Sequence, residues 1–125
     1  MTGAAIAFCI VLGLLVLFQL ALALGAPWGR FAWGGQHRGV LPTGYRIGSI
    51  VGMLVYACMA TIALDRVGLI AWYPGGFSQV AMWVVFGLLA LGVLMNAISR
   101  SKPERYAMTP VALVLAVLAL LVALA

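Results

Sequence analysis

Polar residues in this chain gather into three short clusters, and the sequence between them is almost uninterrupted apolar. The first apolar stretch, from about Gly3 to Leu24, carries no charge and one strongly polar side chain, Gln19. About 20 apolar residues cross a hydrocarbon core of about 30 Å, so this stretch predicts a membrane-spanning helix. A second stretch starts at Thr43, an expected N-cap after Pro42, and runs to about Leu64, where Asp65 and Arg66 mark the far surface. Arg46 lies near enough to its start for the guanidinium to reach the interface. The third, from a Ser78 cap to about Ile98, has no charge at all.

The fourth span has the most informative start. Ser101-Lys102-Pro103-Glu104 fits a capping box, with Pro103 in the first turn, where a missing N–H costs nothing. The helix is therefore expected to begin near Lys102. A start at Pro110 would leave 16 residues, about 24 Å, too short for the core. Pro110 becomes an interior proline expected to bend the helix. The fold class predicted is all-α: an up-down bundle of four transmembrane helices in one domain, residues 1–125.

Composition supports the same class. The chain is 66% hydrophobic and 7% charged, with mean hydropathy +1.22, whereas soluble domains carry about 25% charged residues. A soluble fold this small could not hide that much apolar surface. The N-terminal stretch lacks a basic n-region and is too long for a signal-peptide core, so it is expected to stay as a span.

Charge then sets orientation. Arg30, Arg38, Arg46, Arg100, Lys102 and Arg105 border the first and third connections, against Arg66 alone on the other side. By the positive-inside rule both basic loops face the cytoplasm of a bacterial inner membrane and both termini face out. The formal charge of +5 forms no basic face or aromatic platform, which argues against nucleic acid as a partner. Cys9 and Cys58 sit singly in apolar runs and are expected as free thiols. With a single histidine and no Cys, Asp or Glu beside it, neither a metal site nor another cofactor is expected.

Candidate chemistry concentrates in the first loop, residues 26–42, which is longer than a helical hairpin requires. Trp28, Phe31 and Trp33 suit the bilayer interface, and Gly29, Gly34, Gly35 and Gly39 permit tight turns, so an ordered loop on or dipping into the inner leaflet is expected. It reads in two ways. The aromatics and arginines could simply anchor it to lipid headgroups. Alternatively Gln36, His37 and Arg38, with Trp28, Arg30, Trp33, Arg46, Arg100 and Arg105 on the same side, could hold a phosphate, carboxylate or headgroup. His37 has no nucleophile or carboxylate near it in the loop, so a catalytic role is not expected.

Trp72, Tyr73, Pro74, Gly75 and Gly76 read as a belt-level turn between the second and third spans. Gly44, Gly48 and Gly52 form a doubled G-x-x-x-G on the second helix, a face where another helix of this chain or of a partner could approach closely. Gln19 and Asn96 are expected to hydrogen-bond between helices.

Length and span count resemble the small multidrug-resistance and small fluoride-channel families. The residues argue otherwise: Gln19 stands where the multidrug pattern needs a membrane glutamate, and a six-to-one charge bias is unlike dual-topology chains. Ala26-Pro27-Trp28-Gly29, Trp33-Gly34-Gly35-Gln36-His37 and Leu41-Pro42, with residues 99–105, resemble a pattern in uncharacterised small bacterial inner-membrane proteins of four helices. That resemblance implies no activity. Packing motifs without a catalytic set point first to a non-enzymatic membrane component, a homo-oligomer or accessory subunit among membrane lipids. A lipid or small-ligand binder at the cytoplasmic interface is the alternative, and a small channel or carrier the third.

Overall fold

A computed structural model describes all residues, 1–125, and contains four long helices and no strand. These are α1 (Thr2–Ala23), α2 (Thr43–Arg66), α3 (Phe77–Ala97) and α4 (Lys102–Leu124). Their 21 to 24 residues rise about 1.5 Å each, giving roughly 31–36 Å, enough to cross a bilayer core. All four are apolar enough to do so, and the chain is a four-helix membrane bundle.

Local chemistry explains the helix ends. After Leu24, Gly25 adopts φ +100°, the Gly25 N–H donates to the Leu22 carbonyl, and the Ala26 N–H donates to Ala21. That pair of bonds is a Schellman cap, which needs a left-handed residue and hence glycine. The same device ends α2: Gly68, at φ +82°, donates to Asp65, and Leu69 donates to Leu64. Asp65 Oδ2 then accepts the N–H groups of Trp72 (2.8 Å) and Tyr73 (3.0 Å), and the Tyr73 hydroxyl meets Thr61 Oγ1 at 2.7 Å. The belt-level turn is thereby fastened to α2.

Two expected caps are displaced. The α2 N-cap is Pro42, and Thr43 is already helical with no side-chain cap bond. The α3 N-cap is Gly76, while Ser78 lies buried inside the first turn. Each helix gains a residue or two because membrane burial favours extending it over exposing backbone. Helix α4 begins at Lys102 as expected and continues through Pro110, where the missing N–H leaves the carbonyl one turn earlier without its helical partner.

The hairpins α1–α2 and α3–α4 pack most extensively, and α1–α4 and α2–α3 form the two seams between them. The main core lies in one half of the bundle. Ala5, Phe8, Leu12, Met59, Ala63, Met82, Val85, Leu115, Ala119 and Val122 belong to one buried cluster contributed by all four helices. It lies mainly toward the end remote from the two basic loops.

Candidate functional site

The other half is hollow. A cavity of ≈ 210 Å³ lies between the four helices near the basic end, and its roof is Phe31, Ala32 and Trp33 of loop one. Its walls are mainly apolar, with Leu15, Phe18, Leu89 and Met108 among them. Four polar groups interrupt them: Gln19 on α1, Tyr56 on α2, Asn96 on α3 and Glu104 on α4.

Loop one is built to sit there. The Gly29 N–H donates to the Gly39 carbonyl (2.8 Å) and the Arg30 N–H to the Arg38 carbonyl (3.1 Å), closing the loop on itself. Gly29 is buried against the His37 carbonyl, where any side chain would collide. The tip holds three successive residues with positive φ: Trp33 (53°), Gly34 (68°) and Gly35 (73°). Left-handed backbone is costly for a bulky residue such as tryptophan and persists only where surroundings impose it. Those surroundings are α4 and α2. Ser101 Oγ donates to the Arg30 carbonyl at 2.5 Å, Glu104 Oε2 accepts the Gly34 N–H at 3.0 Å, and Ser101 fills the space a Gly35 side chain would need. On the other side the Trp33 indole lies over Gly48, so close that a Cβ there would stand 2.8 Å from the ring.

Glu104 is the residue that sequence reasoning misplaced. Half of the expected capping box forms, with the Glu104 N–H donating to Ser101 Oγ at 3.5 Å. The reciprocal half does not: the Ser101 N–H goes to Ser99 Oγ (3.2 Å), and the Glu104 carboxylate turns to the loop, 70 residues away in sequence. The side chain is buried and lines the cavity. Its place in the first turn of α4 suits an anion, since the helix N-terminus carries partial positive charge.

The predicted site residues divide. Trp33, Gln36 and His37 meet around Tyr45: the Tyr45 ring lies 5.1 Å from Trp33 and 5.0 Å from His37, and its hydroxyl donates to Gln36 Oε1 at 3.2 Å. The arginines do not form the expected cluster. Arg46 Nε donates to the Ala23 carbonyl (3.0 Å) at the end of α1, and Arg105 donates to the Ser99 carbonyl (3.3 Å) while lying over Tyr106. Arg30 lies over the Phe31 ring, and Arg38, Arg100 and Trp28 are exposed. Free carbonyls at the ends of α1 and α3 thus take Arg46 and Arg105 to different places.

On α2, Gly48 faces Trp33, Gly52 faces Gln19 of α1, and Gly44 has open space beside it. Asn96 makes no bond between helices: its Nδ2 donates to the Gly92 carbonyl one turn back, at 2.9 Å. Both cysteines are free, and Cys9 Sγ points to the Ala60 carbonyl.

Comparison with protein-family models, curated proteins and solved structures finds no match to this chain. Its site is read from its own geometry.

Proposed function

We propose that this membrane protein binds a small ligand or lipid headgroup in the cavity beneath loop one, at the cytoplasmic interface of the membrane. The supporting observation is the cavity itself, polar at Gln19, Tyr56, Asn96 and Glu104 and roofed by a loop whose strained tip is held by two helices. A loop serving only as an anchor needs no such roof. Intramembrane polar groups around a cavity are commonly where membrane proteins bind.

Native mass spectrometry tests this. Protein extracted in mild detergent should carry a bound small molecule that Trp33→Ala loses while the helical circular dichroism stays unchanged. Equal retention by both proteins would sink the proposal.

The cytoplasmic placement rests on the six-to-one bias of basic residues between the two sides. With Cys9 and Cys58 replaced by alanine, cysteines introduced at Thr2 and Ala125 should react with an impermeant thiol reagent in intact cells. Reaction only after lysis would invert the orientation and put the cavity on the outside.

A second reading, a homo-oligomer or accessory subunit, is supported by an open apolar groove between α2 and α3, lined by Val55, Met59, Phe77, Val80 and Leu88. A native mass above that of the monomer and its bound lipid would favour it.

A further inference from the structure

Gln19 and Tyr56 can each donate or accept, but the other two polar groups of the cavity, Asn96 and Glu104, offer acceptors. Asn96 gives one Nδ2–H to the Gly92 carbonyl, and its Oδ1 is left as an acceptor. The assignment is chemically forced, because an amide oxygen cannot bond a carbonyl oxygen. Glu104 receives one protein donor, the Gly34 N–H, and a carboxylate has about four lone-pair sites. No lysine or arginine lines the cavity. The nearest in sequence, Arg105, is turned to the Ser99 carbonyl. Phe18, Trp33 and Tyr56 also line the cavity, while Phe31 already carries the Arg30 guanidinium over its ring; aromatic rings attract cations.

We propose that the cavity recognises an organic ammonium group, with Glu104 as its counter-ion, Phe18, Trp33 and Tyr56 beside it, and Asn96 Oδ1 as a further acceptor where the ammonium carries an N–H. This rests on the proposed ligand-binding role of the cavity and names the class of ligand. An engineered cavity of about 150 Å³ holds benzene, so ≈ 210 Å³ holds a group of roughly eight heavy atoms. That suits a substituted ammonium headgroup. The ammonium could belong to a free amine or to a lipid such as phosphatidylethanolamine, and both present the same chemistry to Glu104.

The test uses the full chain in phosphatidylglycerol nanodiscs, with Trp28, Trp72 and Trp83 replaced by phenylalanine so that emission reports Trp33 alone. The probes are choline and its uncharged carbon isostere, 3,3-dimethylbutan-1-ol, which share shape and differ in charge. Choline should shift Trp33 emission with an affinity about tenfold or more above that of the alcohol, and Glu104→Gln should remove that preference. The comparison on the unaltered site needs no Glu104 variant, so poor folding of Glu104→Gln would not spoil it. Equal affinity for the two probes overturns the ammonium assignment and leaves the cavity a neutral-ligand site. No response to either probe, with no lipid retained, overturns both. In mixed nanodiscs, co-purification of phosphatidylethanolamine in preference to phosphatidylglycerol, lost in Glu104→Gln, assigns the ammonium to a lipid. Choline binding without that preference assigns it to a free amine.

Discussion

Replacing Gly35 with valine is expected to detach loop one from the bundle while leaving the four helices inserted. Two effects act together. Gly35 sits at φ +73°, a conformation that costs an L-residue about 1–2 kcal/mol, and more for a β-branched one. A side chain there would also overlap Ser101, so the Ser101–Arg30 and Gly34–Glu104 hydrogen bonds would be lost, at about 1 kcal/mol each and more for the bond to the carboxylate. The sum, roughly 3–5 kcal/mol, is large beside the free energies of local opening typical of loops, which lie at the low end of the scale. Hydrogen exchange at the Gly34 amide should become fast, and the bound small molecule should disappear from the native mass spectrum. If that amide stays protected, the roof is not held as described.

The second large effect is expected at Gly48. An isoleucine there would meet the Trp33 ring, which already approaches within 2.8 Å of the Cβ position, and overpacking of this kind costs typically about 1–3 kcal/mol. Trp33, 45% exposed as it stands, should be displaced from α2, with a change in its emission and loss of ligand retention. Gly44→Ile is the informative companion, because nothing lies within 4 Å of that position. It should leave Trp33 emission and ligand retention unchanged. If Gly44→Ile instead breaks up an oligomer, a partner helix uses this glycine face in place of the loop.

The spans were legible because their signal is additive: each helix is an unbroken apolar run, and no alternative fold could hide it. Residues 101–104 shared that legibility in part. The S-x-x-E spacing located the start of α4 at Lys102, yet it also supplied a complete local explanation for Glu104, which concealed the long-range partner that the carboxylate takes. The arginine cluster failed for a related reason. Placing basic residues on one side of the membrane does not place them together, since backbone carbonyls at the ends of α1 and α3 compete for the same guanidinium groups. The cavity could not be read at all. It is made by residues from every helix and by a loop tip with Trp33 in left-handed backbone, for which no composition rule stands. The one available hint was Gly34-Gly35 directly after a tryptophan, a pair that licenses a turn without saying where the turn goes.

The bonds that dock loop one also set an order of assembly. Arg30 to Ser101 and Gly34 to Glu104 join residues about 70 positions apart, whereas α1–α2 and α3–α4 are sequence neighbours that pack as hairpins. During synthesis the first hairpin enters the membrane while its loop has only α2 to pack on, and the bonds from Ser101 and Glu104 that complete the docking of Trp33 and its neighbours arrive with the second hairpin. The loop is then a latch that closes only on a completed bundle. A chain stalled before residue 101 would carry an unlatched, protease-accessible loop, which gives the cell a chemical difference between an unfinished copy and a finished one.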